Sequence, residues 1–135
     1  MFAGTGSITL ELLSRGCPLV VSVEKDRQHF SFISAVLRKL DDPAARPYCG
    51  DALRFVARCR EQFDLIFADP PYALPELPEL PDRVMQSSAL APDGIFVLEH
   101  GAKHDFSARP DFLAHRAYGS VNFSFFRRPQ VADEA

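Results

Sequence analysis

Apolar positions along the chain alternate between short continuous runs and runs with helical spacing. The continuous runs at residues 19–23 and 63–68 are typical of buried strands, and residues 94–99 form a third strand candidate after a Pro-Asp-Gly turn. Helical spacing between them predicts a helix over residues 27–40. The apolar residues at this spacing are Phe30, Ile33, Leu37 and Leu40. Strands that alternate with helices predict an α/β fold with a parallel sheet covered on both faces.

The remaining pattern adds shorter elements and a different ending. A strand is predicted at residues 48–49, and helices at residues 52–60 and 84–90. Residues 73–82 carry three prolines, which predicts a stiff loop. Two strand-like runs around Gly119-Ser120 predict a C-terminal antiparallel hairpin. We expect one domain over residues 1–128 and a disordered tail at residues 129–135.

Composition narrows the class of protein. With 135 residues, of which 47% are hydrophobic and 24% charged, the chain is typical of a soluble globular domain. No apolar run approaches the roughly 20 residues of a membrane span, and no signal-peptide pattern occurs, so we expect a cytoplasmic protein without a membrane partner. The net charge of −3 excludes a polybasic nucleic-acid binder but not a local basic face. The three cysteines are scattered and no histidine shares metal-ligand spacing with them, so no metal site is expected.

A glycine turn stands at the start of the chain. Gly4 and Gly6 suit a strand-to-helix turn that a ligand can approach closely, although a plain loop would explain them as well. Thr9 occupies the place of the third glycine of a dinucleotide site, which disfavours NAD. Glu24 ends the next strand and can accept hydrogen bonds from ribose hydroxyls; the alternative is a solvated strand end. Asp51, beside Ala52, can accept from an adenine amino group or simply cap a helix.

The most specific motif is Asp69-Pro70-Pro71-Tyr72. It directly follows an apolar strand, and ligands bind beyond the carboxyl ends of such strands in open α/β sheets. The two prolines keep the backbone extended and remove two N–H donors. The exocyclic amine of a nucleobase is a poor nucleophile, and Asp69 with the Pro70 carbonyl can accept its hydrogen bonds and stabilise the positive charge that develops on nitrogen. Tyr72 can stack on a base that has left its helix.

Two weaker hypotheses concern the C-terminal half. His100 follows Glu99 at a strand end and is a candidate for the edge of a pocket, with a satisfied histidine as the alternative. Residues 101–128 contain five basic and two acidic residues. Arginines beside aromatic residues can meet an RNA backbone, although a core face with a solvated opposite face accounts for the same pattern. The residues concerned are Arg116, Arg127, Arg128, Tyr118, Phe123 and Phe125.

Taken in order, these motifs resemble a known family. Phe2-Ala-Gly-Thr-Gly-Ser7, Leu13-Ser-Arg-Gly16, Val23-Glu-Lys-Asp26, Gly50-Asp51, Phe63-Asp-Leu-Ile-Phe67, Asp69-Pro-Pro-Tyr72, Val97-Leu-Glu-His100 and Tyr118-Gly119 follow one another along nearly the whole chain. The chain resembles the small-subunit ribosomal RNA guanine-N2 methyltransferases, which act on 16S rRNA.

The resemblance implies a class I, Rossmann-like methyltransferase fold and S-adenosyl-L-methionine (SAM) as cofactor. It implies a guanine of 16S rRNA in a partly assembled 30S particle as substrate. It places Asp69, Pro70, Pro71 and Tyr72 on the catalytic loop. The positions that it assigns to the cofactor are Phe2, Gly4, Gly6, Glu24, Lys25, Asp51, Ala52 and Asp69.

The chain departs from the family at its beginning. Family members carry a further N-terminal segment that includes the central first strand, and the matching residues are absent before Met1. We therefore expect two unpaired strand edges, together with either a wrongly assigned start, which we favour, or a truncated fragment. Two other functions stay open. One is an adenine-N6 or cytosine-N4 methyltransferase, because the same tetrapeptide serves those amines; the other is an inactive remnant that binds nucleotide or RNA.

Overall fold

A computed structural model describes residues 1–4 and 6–129, and the expected tail lies outside the described residues from residue 130 onward. The chain divides into two compact units, Met1–Phe55 and Val56–Ala135. The boundary between them falls inside helix α3 (Ala52–Arg58).

The first unit pairs helices with a short parallel sheet. Its elements are α1 (Ser7–Ser14), β1 (Val20–Glu24), α2 (Arg27–Leu40) and β2 (Ala45–Cys49). β1 and β2 run parallel in a register that matches Val20 with Ala45 and Glu24 with Cys49. Glu24 therefore stands at the carboxyl end of a strand, as the sequence predicts.

Helix α2 has the bounds that the apolar spacing predicts. Asp26 caps its first turn by accepting a hydrogen bond from the backbone N–H of His29 at 2.9 Å. On the inner face, Ile33 and Leu37 are buried and pack in one cluster with Leu13 and Val20. The helix thus covers the β1 strand that carries Glu24.

The second unit is built on a mixed sheet. Its strands are β3 (Phe63–Ala68), β4 (Leu90–His100), β5 (Phe112–Tyr118) and β6 (Val121–Phe126), in the order β3-β4-β6-β5. β3 and β4 are parallel, whereas β6 pairs antiparallel with both β4 and β5. The predicted C-terminal hairpin is confirmed. Among the described strands, β1 and β2 form a two-stranded sheet, and β3 and β5 are the outer strands of the four-stranded sheet.

Aromatic packing fixes the hairpin to the rest of this unit. Phe126 is fully buried, and its ring lies 5.6 Å from that of Phe96 and 5.6 Å from that of Phe106, between centroids. Phe112 meets the same ring edge-on at 6.2 Å. Strand β4, which lies between β3 and β6, is thereby held in a rigid environment.

The segment between β3 and β4 differs from the prediction. Residues 73–82 are not all loop, because a 3₁₀ turn covers Leu77–Glu79 and α4 covers Leu80–Gln86. The helix predicted at residues 84–90 was placed too late, since Pro81 is tolerated within a first helical turn, where its N–H needs no partner. The strand predicted from residue 94 begins at Leu90, and the Pro-Asp-Gly turn is accommodated by a register shift between Phe63 and Leu65 of β3.

Within the described part of the chain, no helix has the length and apolar character that a membrane span requires.

Candidate active site

The glycine turn of the first unit depends on a left-handed backbone at Gly6. Gly6 has φ of 91° and immediately precedes α1 as its N-cap. A Cβ at this position would lie 3.0 Å from Cγ1 of Ile33, so both the conformation and the packing of α2 require glycine. The turn is also tied to β1, because the N–H of Ala3 donates to the carbonyl of Val23 at 3.0 Å.

The structure brings Gly4 and Glu24 together. The Gly4 N–H donates to Oε1 of Glu24 at 2.7 Å, and the Asp26 N–H donates to Oε2 at 2.7 Å. The carboxylate is therefore held at both oxygens, and each oxygen keeps a second lone pair for a further donor. A Cβ built on Gly4 would meet nothing within 4 Å, which leaves space for close approach of a ligand.

The end of β2 joins the same region. The Gly50 N–H donates to the carbonyl of Glu24 at 3.0 Å. Asp51 caps α3 through Oδ2, which accepts from the Arg54 N–H at 2.9 Å, and Ala52 beside it is buried. The helix-cap alternative for Asp51 is thus confirmed, although carboxylate oxygens can each accept more than one bond.

Two further predicted positions have distinct environments. Phe2 has φ of 55°, a left-handed conformation that residues other than glycine rarely adopt. The Lys25 side chain is exposed to solvent. Within the first unit, the predicted cofactor residues therefore include a carboxylate held in place, a glycine with open backbone and a residue in a strained backbone conformation.

In the second unit, Asp69-Pro70-Pro71-Tyr72 follows β3 directly. Pro70 is buried, and the Pro71 carbonyl accepts a hydrogen bond from the Leu74 N–H at 2.9 Å, which closes a turn. Tyr72 keeps 38% of its surface exposed. The loop is therefore anchored by the buried Pro70, while the Tyr72 ring is partly exposed to solvent.

Glu99 is the residue that the sequence reasoning missed. Its Oε2 accepts a hydrogen bond from the Tyr72 hydroxyl at 2.9 Å. Along β4 it lies between the buried residues Leu98 and His100 and is itself only partly buried, because alternate residues of a strand face opposite sides. Strand alternation could have pointed to Glu99, because it puts Glu99 and His100 on opposite faces of the sheet. The sequence analysis quoted both residues in one motif and chose His100.

The Glu99 carboxyl influences the charge of Asp69. Although Asp69 retains contact with solvent, partial burial and then the neighbouring Glu99 carboxyl raise the pKa of Asp69 to about 6. Two carboxyl groups in contact resist simultaneous ionisation. The predicted catalytic carboxylate therefore titrates close to neutral pH, as groups at functional sites often do.

His100 does not line a pocket edge, and that hypothesis is wrong. Only 1% of the residue is exposed. Its Nδ1 lies 2.8 Å from the carbonyl oxygen of Gly101, and its Nε2 lies 2.7 Å from Oγ of Ser124. Burial lowers the pKa of His100, so the neutral ring donates to Gly101 and accepts from Ser124. It is a satisfied core histidine.

The arginines proposed for RNA contact divide into two kinds. Arg128 donates to the backbone carbonyls of Leu90 at 2.6 Å and Ser87 at 2.9 Å, among others, and thereby ties the end of β6 to the α4–β4 connection. Its role is structural, which contradicts the RNA hypothesis for this residue. Arg116 is exposed and bonds only the adjacent carbonyl of His115 among the contacts described. RNA contact by Arg116 and Arg127 stays a prediction.

Metal ligands are not grouped in the described part of the chain. Across residues 1–4 and 6–129, no cluster of three or more His, Cys, Asp or Glu side chains could hold a metal ion.

Comparison with solved structures establishes the fold. The chain aligns with the protein described as "putative methylase HI0767" of Haemophilus influenzae at a TM-score of 0.83 and 21% identity, over 96% of this chain and 84% of the other. At this identity the likeness concerns the fold alone. The α/β, class I methyltransferase fold expected from the sequence is confirmed.

Two relatives are named as ribosomal RNA methyltransferases. Ribosomal RNA small subunit methyltransferase D of Escherichia coli is 26% identical in an alignment of 130 positions that covers 94% of this chain. Ribosomal RNA large subunit methyltransferase K/L of Syntrophotalea carbinolica is 26% identical in an alignment of 147 positions, gaps included, that covers 97% of this chain. The chain spans 66% of the length of the first relative and 21% of the second.

A family model described as conserved hypothetical protein 95 matches residues 1–127, almost the entire described region. With the ordered motifs, the fold and the relatives in agreement, the chain belongs to the conserved hypothetical protein 95 family, whose members include proteins named as rRNA methyltransferases.

Proposed function

We propose that this protein transfers a methyl group from SAM to the exocyclic N2 amine of a guanine in 16S ribosomal RNA. The observation that carries the proposal is the loop Asp69-Pro70-Pro71-Tyr72 at the end of β3, with its exposed ring and its carboxylate of raised pKa. The small-subunit relative supports the choice of RNA. We further propose that the reaction takes place in the cytoplasm on a partly assembled 30S particle.

The first unit supplies a set of groups that suits an adenosine cofactor. Glu24 is held at both oxygens by backbone N–H groups, so its remaining lone pairs have fixed directions for ribose hydroxyls. Gly4 offers open backbone, and Asp51 stands at the end of the neighbouring strand for an adenine amino group. When bound, SAM supplies an electrophilic methyl group on a sulfonium.

The second unit supplies groups that suit the amine. Asp69 and the Pro70 carbonyl accept hydrogen bonds from N2, which raises electron density on nitrogen and stabilises its developing positive charge. SAM, when bound, would supply the methyl carbon to N2, and its sulfur would be the leaving group. The extra proton on N2 passes to Asp69, whose pKa of about 6 permits its release to water. Tyr72 stacks on the extruded base.

A second candidate substrate is a guanine of large-subunit rRNA. The match to a large-subunit rRNA methyltransferase covers 97% of this chain and favours it specifically. The chemistry of the loop is the same for both substrates, so only the RNA that is recognised distinguishes them.

The test is methyl transfer from tritiated SAM to four substrates in parallel. They are 30S particles, 50S particles, naked rRNA and adenine-containing duplex DNA. The modified nucleic acid is digested to nucleosides, and the product is identified by mass spectrometry. We expect N2-methylguanosine from 30S particles above all.

Each other outcome changes the proposal in a defined way. N2-methylguanosine from 50S particles alone would favour the second candidate. N6-methyladenosine or N4-methylcytosine would overturn the guanine assignment. Calorimetry with SAM separates the remaining case, because a chain that neither binds SAM nor transfers a methyl group would be the inactive remnant.

A further inference from the structure

The pairing of β3 with β4 places two acidic residues at one end of the sheet. Ala68 is matched with Leu98, so Asp69 and Glu99 are the next residues along two parallel, adjacent strands. Adjacent strands lie only about 5 Å apart. The contact between the two carboxyls, which alters the charge of Asp69, is therefore a direct result of the strand register.

Tyr72 is held at two points beside this pair. Its hydroxyl donates to Oε2 of Glu99 at 2.9 Å, across 27 positions of sequence. Its ring lies against the backbone at Gly101, where an added Cβ would stand 3.4 Å from Cδ2 of the ring. These two contacts fix the ring, and 38% of Tyr72 nevertheless remains exposed to solvent.

The Tyr72 hydroxyl remains a donor over the whole neutral range. Partial desolvation, then Glu99 and finally Asp69 raise the pKa of Tyr72 to about 12. A protonated phenol that donates to a carboxylate forms a strong, directional hydrogen bond.

We propose that Glu99 is a positioning residue that clamps the Tyr72 ring beside Asp69, so that a flat base stacked on the ring presents its amine to the Asp69 carboxylate. The inference deepens the proposed methyl transfer and rests on it. Glu99 acts through Tyr72, and it is not itself required to touch the substrate. An unclamped ring would sample several rotamers, and the stacked base would lose its alignment.

The contact is tested first by NMR, without any reaction. The chain has three tyrosines, so labelling tyrosine Cζ with ¹³C gives three signals, and Tyr72→Phe identifies that of Tyr72. We expect Glu99→Gln and Glu99→Ala to move the Tyr72 signal at pH 7.5 and to leave those of Tyr48 and Tyr118 in place. Asp93→Asn, an exposed residue of β4, is the matched control and should move none. An unmoved Tyr72 signal in both Glu99 variants would refute the clamp.

The consequence is tested by kinetics. We expect Glu99→Ala to raise KM for RNA about tenfold, the scale of a lost base–aromatic stack, while SAM affinity changes by less than a few-fold. Glu99→Gln keeps an acceptor and should retain more activity than Glu99→Ala. The double variant Glu99→Ala/Tyr72→Phe should be no less active than the less active single variant, because each single variant already removes the same Tyr72–Glu99 hydrogen bond.

The two proposals fail separately. Additive losses in the double variant, or full activity in Glu99→Ala, would overturn the positioning role even if methyl transfer is demonstrated. A wild-type protein that transfers no methyl group while the Tyr72 signal responds to Glu99→Gln would overturn the proposed function and leave the clamp demonstrated.

Discussion

Two acidic residues end strands in the two units of this protein, and their surroundings differ. Glu24, after β1, receives backbone N–H groups from Gly4 and Asp26 at 2.7 Å each. Asp69, after β3, has the Glu99 carboxyl as its neighbour on the adjacent strand and a pKa raised to about 6. The first carboxylate is surrounded by donors and the second faces another acid.

Under the proposed function, this difference assigns cofactor binding to Glu24 and chemistry to Asp69. A carboxylate held by fixed N–H groups is a constant acceptor, which suits recognition of hydroxyl groups in a cofactor. A carboxylate whose charge is opposed by a second carboxyl exchanges its proton near neutral pH, which suits an acceptor of protons during a reaction. Sequence position alone, at the end of a strand, does not distinguish the two.

The largest expected effect comes from Asp69. We expect Asp69→Ala to lower kcat for methyl transfer about 100- to 1,000-fold, because an electrostatic partner of the transition state is lost. SAM affinity, measured by calorimetry, should stay within a few-fold of the wild-type value. Asp93→Asn, at an exposed position of β4, is the control. If Asp69→Ala weakens SAM binding as strongly as it lowers kcat, Asp69 has a binding or structural role. The contrast in role with Glu24 would then be wrong.

At Glu24, a substitution should affect SAM affinity more than kcat, the opposite of the result expected at Asp69. We expect Glu24→Ala to weaken SAM binding about 10- to 100-fold, the scale of losing hydrogen bonds to a charged group, with kcat at saturating SAM little changed. The measurement is calorimetric titration beside steady-state kinetics. Glu24→Gln, which keeps an acceptor, should lose less. A fall in kcat without a change in SAM affinity would assign Glu24 to the reaction.

The pH dependence of activity sharpens the contrast further. Only ionised Asp69 accepts a proton, so kcat should fall as pH drops through about 6, by about tenfold at one pH unit below the midpoint. Because Glu99 contributes to the raised pKa of Asp69, Glu99→Gln should move this midpoint to lower pH. Profiles measured between pH 5 and 8 on the two proteins check both points. A midpoint that is identical in Glu99→Gln would show that Glu99 does not set the charge of Asp69.

The smallest effect concerns the turn that carries Gly4. Gly6→Ala combines a positive φ with a contact of 3.0 Å to Ile33, whereas Gly16→Ala has a positive φ and nothing within 4 Å. Both should lose about 1–2 kcal/mol of unfolding free energy for the left-handed backbone, and Gly6→Ala should lose more. Urea denaturation measures the difference. Equal losses would mean that α2 yields to the new methyl group and that the turn is not packed tightly.

Local signals were sufficient for much of the fold. Helix α2 was predicted at its observed bounds because its apolar residues recur at helical spacing, and the structure adds Asp26 as its N-terminal cap. Strand β3 and the C-terminal hairpin followed from runs of apolar residues. Prolines misled the prediction around residue 80, since they were interpreted as loop where Pro81 belongs to the first turn of α4.

The candidate site was predictable only in part. Gly4 and Glu24 were each expected to serve a cofactor, yet the hydrogen bond between them depends on β1 lying against the turn and could not be derived locally. Glu99 acquires its role only through the register of β3 with β4 and through a partner 27 positions away. Arg128 was a candidate for RNA contact because its carbonyl partners, which lie about 40 positions earlier in the chain, could not be foreseen locally. Non-local pairing was the missing information in each case.

Strand β5 has a consequence for the behaviour of the protein at high concentration. It forms the outer edge of the four-stranded sheet, and its backbone is a potential template for a strand of another molecule. Its pairing with β6 is interrupted by an irregularity between Phe112 and Ala114, and the exposed Arg116 already bonds a carbonyl of its own strand. Bulges and edge charges of this kind oppose intermolecular strand addition. The same hairpin that completes the sheet therefore also limits aggregation, and Arg116 contributes to solubility whether or not it ever meets RNA.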